Sequence, residues 1–204
     1  MRLSSENSPP GVFPVVCIGG SAGSLRAYRD ILGEMPINAG IAIVIVSHRA
    51  IDYADRLVPL LAKMTRMEVV EVTDEVLLEP GHIYVTPPHR DISTDGVVLR
   101  LAAMPTHTYG WPTVISGFLF SLASTCRTRA IAIIVSGAGF DGSCALGAIK
   151  KKGGWTLAQS DAEYGDMPQA AVDTKHVDFV LRSREIGSYL ASLSEHLRIA
   201  ADGR

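Results

Sequence analysis

The sequence has neither a strong net charge nor a long apolar run. Its formal net charge is -2 at pH 7 and its pI is about 6.3. No global electrostatic field therefore draws the chain toward nucleic acid or an acidic membrane. A transmembrane helix needs roughly 18 or more consecutive apolar residues, whereas the longest comparable stretch, residues 41–46, has the length of a strand. We therefore expect no nucleic-acid partner and no direct membrane insertion.

Cysteine is scarce, and a secretory signal is not evident. The three cysteines, Cys17, Cys126 and Cys144, make an odd number and have no spacing typical of a metal site. Residues 1–10 are polar and contain proline instead of the apolar stretch of a signal peptide. These features predict a soluble, cytoplasmic protein in a reducing compartment.

The sequence does contain enough apolar residues for a core, and they occur in short runs. With 204 residues, 47% of them hydrophobic, the chain fits one globular domain. The continuous runs 12–18, 41–46 and 130–135 are typical of parallel strands that helices cover on both faces. Segments with apolar residues spaced at three and four predict helices over 25–35, 57–64, 114–126, 144–152 and 184–199. We therefore predict an α/β fold with a doubly wound, mostly parallel sheet in a three-layer, Rossmann-like arrangement.

Two segments need a separate interpretation. Residues 91–101 alternate around Asp95-Gly96, which predicts an antiparallel hairpin added to the sheet. The lysines at 150–152 look in isolation like a nucleic-acid patch, but they precede the glycines at 153–154 at a predicted helix end. Cations suit the helix dipole there and glycine ends the helix, so we interpret these lysines as a helix terminus.

Polar residues follow three of the predicted strands. The first strand is followed by a glycine-rich turn that holds Ser21, the second by His48, and the third by a glycine-rich segment that holds Asp141. In open parallel sheets, ligands bind beyond the carboxyl ends of the strands. We therefore expect a serine, a histidine and an aspartate at one edge of the sheet.

Together these residue types can perform nucleophilic catalysis. A serine hydroxyl is a weak nucleophile until a base removes its proton, and histidine can do this near neutral pH. An aspartate fixes the imidazole tautomer and stabilises the imidazolium. Gly19, Ser21 and Gly23 satisfy G-x-S-x-G in the strand–turn–helix setting that this motif requires. The order Ser21, His48, Asp141 differs from the serine, acid, histidine order of the α/β-hydrolases, which excludes that fold but not the mechanism.

The same residues are compatible with other interpretations. A glycine-rich turn after the first strand more often holds a phosphate or dinucleotide, although this one does not spell G-x-G-x-x-G and no acidic residue closes the second strand. Taken singly, His48 is compatible with a hydrogen-bonded strand end, and Asp141 with a helix N-cap. His82 and His89 lack a third ligand for a metal site. The Met-Pro pair at 167–168 either lines the cleft or begins a helix.

Several ordered segments resemble the catalytic domain of the CheB-type chemotaxis receptor methylesterases. The likeness runs from about Val15 to Leu181 and includes the serine turn and the histidine after the second strand. It continues through P-G-H-I-Y-V-T-P-P, S-G-A-G-F-D-G, G-G-W-T-L-A-Q and D-M-P-Q-A-A, at 80–88, 136–142, 153–159 and 166–171. So many matches in order are far more specific than a single motif.

The resemblance implies a catalytic trio of Ser21, His48 and Asp141. It implies hydrolysis of glutamyl methyl esters on chemoreceptors or related signalling proteins, often with deamidation of glutamine, and no metal or organic cofactor. The backbone amides of Ala22 and Ala138 are the candidate oxyanion hole. The protein substrate would then be the cytoplasmic domain of a methylated chemoreceptor.

We expect a flexible tail at 1–11, a single catalytic domain over 12–200, and none of the receiver domain that regulates this family, because the first strand begins close to Met1. A separate response regulator or methyltransferase is then the candidate partner for regulation.

The chain also departs from the pattern of the family it resembles. Ala138 stands where a methionine is usual, an Arg-Ala pair at 49–50 follows the histidine, and Ser24 replaces a frequent glycine. The segment 112–117 stands where Pro-Ser-Val-Asp is expected and lacks the acid. These changes and the missing receiver domain motivate a second hypothesis, a catalytically weak regulatory or binding module of a signalling array with the same fold.

Overall fold

The computed structural model describes residues 13–47, 54–103 and 113–202, without the side chains of 54–55 and 197–202. The predicted tail at 1–11, His48 and the pair at 49–50 lie outside the described residues. The strands are β1 (Val15–Gly20), β2 (Ala42–Ser47), β3 (Glu68–Glu71), β4 (Glu75–Leu77), β5 (His82–Val85), β6 (Arg90–Thr94), β7 (Val98–Ala103), β8 (Ala130–Ile134), β9 (Trp155–Gln159) and β10 (Phe179–Leu181). The helices are α1 (Ser24–Leu32), α2 (Ala54–Ala62), α3 (Val114–Cys126), α4 (Leu146–Lys151), α5 (Asp166–Asp173) and α6 (Ser183–Asp202).

Parallel pairing builds the main sheet, as the continuous apolar runs predict. Its seven strands have the order β10-β9-β8-β1-β2-β5-β3, and each neighbouring pair is parallel. The three predicted strands become β8, β1 and β2, which lie side by side. The predicted three-layer α/β class is confirmed.

Alternating side chains of the sheet supply two hydrophobic cores. Val15 and Cys17 belong to the cluster that includes residues of α3, α4 and α5. Val16 and Ile18 belong to the cluster that includes residues of α1, α2 and α6. Because successive side chains of a strand point to opposite faces, β1 is buried along its whole length and both of its faces are covered.

The predicted hairpin forms, but it does not extend the main sheet. β6 and β7 pair antiparallel and make a separate three-stranded sheet with β4. Asp95 and Gly96 form the turn as predicted, and Gly96 has a φ of +92°. Ile92 and Leu99 are buried in the cluster that contains α3, so the hairpin packs its apolar face on that helix. The expectation that the hairpin is added to the main sheet is therefore wrong.

The lysines at 150–152 mark a helix end, as interpreted. α4 ends at Lys151, and Gly153 follows with a φ of +83°. Lys150 also forms an ion pair with Asp178. In the part of the chain that the structure describes, no helix is both long and apolar enough to cross a membrane.

Candidate functional site

The carboxyl ends of three adjacent strands, β8, β1 and β2, form the edge at which the sequence places the candidate residues. In the sheet register Gly20 lies opposite Ser47, and Gly19 lies opposite Ile134. One residue further, the Ser21 N–H donates to the Ser136 carbonyl at 2.9 Å, so the pairing between the first and third predicted strands continues into the turn. Ser21 therefore lies at this edge as predicted. His48 follows Ser47 in the chain but is outside the described residues, so its contact with Ser21 stays a prediction.

Close packing explains why glycine flanks Ser21. A Cβ on Gly19 would lie 2.5 Å from Ile115 Cγ2, and one on Gly20 would lie 2.8 Å from the hydroxyl oxygen of Tyr28. Gly23 has a φ of +71°, a conformation in which other residues are strained, and α1 begins at the next residue. The result is a tight turn that leaves Ser21 half-buried at the start of a helix.

Ser136 holds the turn in place through both its backbone and its side chain. Its carbonyl accepts the Ser21 N–H, and its hydroxyl donates to the Ala22 carbonyl at 2.8 Å and accepts the Tyr164 N–H at 2.9 Å. Its own N–H donates to Gln159 Oε1 at 2.9 Å. Both Ser136 and Gln159 are buried. The sequence assigned no role to either residue, although both stand in segments that carry the family resemblance.

The segment after Ser136 is supported by the start of α5. The Gly137 N–H donates to the Tyr164 carbonyl, and the Gly137 carbonyl accepts the Met167 N–H, each at 3.0 Å. A Cβ on Gly137 would lie 2.1 Å from Met167 Sδ and 3.0 Å from Ser21 Cβ. Met167 and Pro168 are buried in the first turn of α5. The interpretation of this pair as the start of a helix is therefore confirmed, and its place at the cleft stays a prediction.

Asp141 is buried, with 5% of its surface exposed, and is held by the N-terminus of α3. Its Oδ1 accepts the Ser116 N–H at 3.0 Å, the Ser116 hydroxyl at 2.6 Å and the Gly142 N–H at 2.7 Å. Its Oδ2 accepts the Ile115 N–H at 2.9 Å. A carboxylate is stabilised at this position because the unpaired amides of a helix start carry partial positive charge. Asp141 thus caps a helix that is distant in the sequence, and it also accepts the first amide of the turn that it precedes.

The charge of Asp141 affects the Cys17 thiol in the core beneath the site. Burial raises the pKa of the Cys17 thiol well above its usual range, and the Coulombic effect of Asp141 raises it further. Cys17 lies in β1, four residues before Ser21. It therefore stays a neutral core residue and is not a nucleophile.

The two amides predicted to form an oxyanion hole belong to exposed residues at this edge. Ala22 follows Ser21, and Ala138 lies in the segment that leads to Asp141. Within the described residues, no group accepts a hydrogen bond from either amide. Their positions relative to a substrate carbonyl stay a prediction.

A phosphate site fits the turn less well. Phosphate-binding loops direct their free amides at the ligand, whereas the Ser21 N–H is already bonded to Ser136. The space beside Gly23 is filled by Tyr164 and Glu163, which lie within 3.0 Å of a Cβ placed there.

Of the two histidines considered for a metal site, His82 begins β5 and His89 follows the end of that strand. His82 Nε2 is 3.4 Å from a carboxylate oxygen of Glu68, and its Nδ1 is 3.0 Å from the Pro80 carbonyl. His89 is exposed. No three His, Cys, Asp or Glu side chains among the described residues are grouped so that they could hold a metal ion.

Comparisons with known sequences match most of the chain. A family model described as CheB methylesterase matches residues 16–190. A protein-glutamate methylesterase/protein-glutamine glutaminase 1 of Carboxydothermus hydrogenoformans is 31% identical over 189 residues, which are 87% of this chain and 54% of that protein. A protein-glutamate methylesterase/protein-glutamine glutaminase of Moorella thermoacetica is 32% identical over 191 residues, which are 90% of this chain and 45% of that protein. The chain thus spans about half the length of these curated relatives.

A solved structure has the same fold. The crystal structure of the Thermotoga maritima CheB methylesterase catalytic domain superimposes with a TM-score of 0.82 at 26% sequence identity. The match covers 89% of this chain and 98% of that domain. Sequence and fold therefore agree, and this chain belongs to the CheB methylesterase family.

Proposed function

We propose that this protein is a serine hydrolase that demethylates glutamyl methyl esters, and deamidates glutamines, on chemoreceptors or related signalling proteins. The observation that carries the proposal is the placement of Ser21 beside the end of β8, the strand whose following segment holds the buried Asp141. β2, which His48 follows, pairs with β1 on its other side. The names of the relatives in C. hydrogenoformans and M. thermoacetica supply the substrate class.

The proposed reaction proceeds through an acyl-enzyme. Ser21 Oγ attacks the side-chain carbonyl carbon of the ester while His48 takes the hydroxyl proton. The tetrahedral intermediate expels methoxide, which leaves as methanol with the proton from His48. A water molecule, deprotonated by His48, then attacks the acyl-enzyme and releases glutamate and free Ser21. With a glutamine substrate the leaving group is ammonia.

Two further features support this mechanism. Oδ1 of Asp141 accepts three hydrogen bonds from Ser116 and Gly142, so Oδ2 is the oxygen through which the acid would meet the His48 ring. Ala22 follows Ser21 in the chain, and Ala138 lies three residues before Asp141. Their backbone amides are the proposed donors to the oxyanion, because preorganised N–H groups stabilise the negative charge that develops on the substrate oxygen.

The proposal includes a single catalytic domain over 12–200 that acts in the cytoplasm on the cytoplasmic domain of a methylated receptor. The three cysteines are free, which is typical of a reducing compartment. A separate response regulator or methyltransferase is the proposed partner for control.

The test is methanol release from a methylated receptor fragment by the purified protein. Ser21→Ala should lower the rate by several orders of magnitude, because the nucleophile is lost. Ser124→Ala is the matched control, since Ser124 is exposed on α3 and its hydroxyl donates to the Ser121 carbonyl of the same helix at 2.8 Å. Equal methanol release by the wild type and Ser21→Ala would contradict the mechanism.

The same preparation distinguishes the alternatives. A protein that binds the receptor without releasing methanol, and whose Ser21 does not react with serine-directed probes, would be a regulatory or binding module. Thermal stabilisation by NAD or ATP would instead favour a nucleotide site in the glycine-rich turn.

A further inference from the structure

We propose that Ser116 is a positioning residue whose hydroxyl holds the Asp141 carboxylate in the orientation that serves the catalytic base. This inference rests on the proposed function, because it assigns Ser116 a role through the acid of the catalytic trio. Ser116 is not a member of the catalytic trio, and in the proposed mechanism it does not touch the substrate carbonyl.

The contact between the two side chains is short and shielded from water. Ser116 is 4% exposed and Asp141 is 5% exposed. The Ser116 hydroxyl donates to Asp141 Oδ1 at 2.6 Å, within the range of charge-assisted O–H···O⁻ bonds. In a site from which water is excluded, such a bond is stronger than the same bond on the surface.

The direction of this hydrogen bond is fixed by a second neighbour. The Gly142 N–H donates to Ser116 Oγ at 2.9 Å, so a lone pair of the hydroxyl is occupied from the side of Gly142. The exposed Cys144 thiol also donates to Ser116 Oγ, at 3.3 Å. The hydroxyl proton is therefore directed toward Asp141, and the serine links the acid to the main chain that follows it.

The hydroxyl completes a set of donors that holds both carboxylate oxygens. Without such contacts, rotation of an aspartate carboxylate about χ2 is broad. Here the amides of Ile115 and Ser116 meet different oxygens, and the hydroxyl adds the shortest bond on Oδ1. This arrangement presents Oδ2 in one direction, which is what an acid that orients an imidazole requires.

Loss of this hydroxyl should leave the fold largely intact. The Gly142 N–H would keep its bond to Asp141 Oδ1 at 2.7 Å, and the amides of Ile115 and Ser116 would still be capped by the carboxylate. The exposed Cys144 can turn to water. Ser116→Ala therefore removes one restraint on the acid without leaving a described backbone donor unpaired.

The experiment compares kcat and KM for methanol release from the methylated receptor fragment. Ser116→Ala should lower kcat by about tenfold and leave KM unchanged, since a bond to a charged group is lost but no substrate contact is. Ser116→Thr keeps a hydroxyl and should recover most of the rate. Ser124→Ala, which removes an exposed hydroxyl of the same helix that donates to the Ser121 carbonyl, should match the wild type. Thermal melting of every variant identifies any loss of folding.

A double mutant separates positioning from a purely structural role. In an Asp141→Ala background, Ser116→Ala should cause no further fall in kcat, because the residue acts through the acid. An equal fall in both backgrounds, a change confined to KM, or a wild-type kcat in Ser116→Ala overturns the proposal. If Ser116→Ala does not fold, Ser116→Cys, which replaces the hydroxyl by a weaker donor, carries the same comparison. Failure of the proposed function is distinct, because Ser21→Ala would then release methanol as the wild type does.

Discussion

Asp141 and Asp95 are two carboxylates with similar partners in opposite surroundings. Each accepts hydrogen bonds from backbone amides, and each also accepts one from a side chain, Ser116 in one case and Arg100 in the other. Asp141 is buried at the edge of the main sheet, whereas Asp95 is exposed in the hairpin turn. The two carboxylates therefore differ in how far solvent reaches their hydrogen bonds.

Exposure to solvent determines how much these hydrogen bonds contribute to stability. The Val98 amide, the Arg100 guanidinium and the Val97 amide together lower the pKa of Asp95 to about 2. Even so, exposed charge pairs contribute little to stability, because solvent screens them. The bonds to Asp141 are buried, and a buried donor that loses its partner lowers the stability of the fold. A fixed charge in such surroundings can also orient a neighbouring group. The exposed aspartate therefore shapes a turn, while the buried one can serve catalysis.

The largest effect is expected from Asp141→Asn. An amide that keeps its oxygen at the Oδ1 position would place its NH2 group against the Ile115 N–H, which now donates to Oδ2 at 2.9 Å. We expect kcat for methanol release to fall about 10,000-fold, as when the acid of a catalytic triad becomes an amide. The unpaired donors should lower the free energy of unfolding by about 1–3 kcal/mol. Steady-state kinetics and denaturant titration measure the two effects, and a kcat within tenfold of the wild type would remove Asp141 from the mechanism.

A smaller effect is expected where packing, and not hydrogen bonding, holds the site. Gly137→Ala places a Cβ 2.1 Å from Met167 Sδ and 3.0 Å from Ser21 Cβ, so Ser21 or α5 must move. A displacement of the nucleophile by about 1 Å can lower the rate about 100-fold, and we expect kcat/KM to fall by that order. Overpacking should also lower the free energy of unfolding by about 1–3 kcal/mol.

Gly117→Ala is the matched control for this steric prediction. Gly117 is an exposed residue of α3, and nothing lies within 4 Å of a Cβ added there. Alanine in a helix should raise the free energy of unfolding by about 0.5–1 kcal/mol. Activity should stay at the wild-type level; equal losses in the two variants would show that the site tolerates no alanine in general and that the clash at Gly137 is not the cause.

The smallest effect is expected at Asp95. Its folded-state pKa is lowered, so its stabilising contribution is present above the unfolded pKa of roughly 3.9 and is lost as the pH falls through about 2. Asp95→Asn should lower the free energy of unfolding by less than about 1 kcal/mol at pH 7, because the pair with Arg100 is exposed. Denaturation between pH 7 and pH 2 should show this difference shrinking in acid. A difference that grows in acid, or any loss of esterase activity, would contradict the comparison with Asp141.

The fold could be predicted where the local pattern is strong. β1, β2 and β8 are continuous apolar runs, and α3 begins and ends at the residues that the sequence analysis predicts. The short strands β3 and β10 were not predicted, because each has only three or four residues of mixed exposure at an edge of the sheet. Such strands form because a neighbouring strand offers hydrogen bonds, which a local pattern does not contain.

The turn of the hairpin depends on local residues, whereas the sheet that the hairpin joins depends on tertiary packing. Asp95-Gly96 predicts the turn because its requirements are met locally. The Asp95 carboxylate accepts the Val97 and Val98 amides, and glycine adopts the positive φ. Which sheet the hairpin joins depends on Ile92 and Leu99, which pack with α3. The sequence therefore predicts the hairpin itself but not its place in the molecule.

The candidate site shows the same division. The sequence alone determined that Ser21 stands in a tight glycine-rich turn, because turn chemistry is a local property. It predicted an edge shared with Asp141 only through the general rule for parallel sheets. Only the tertiary structure decided that Ser136 holds the turn and that Ser116 meets Asp141. These contacts join residues 114 and 25 positions apart in the chain. Hydrogen bonds of this kind depend on which helix start and which strand end the packed core brings together, and no periodicity in the sequence encodes that.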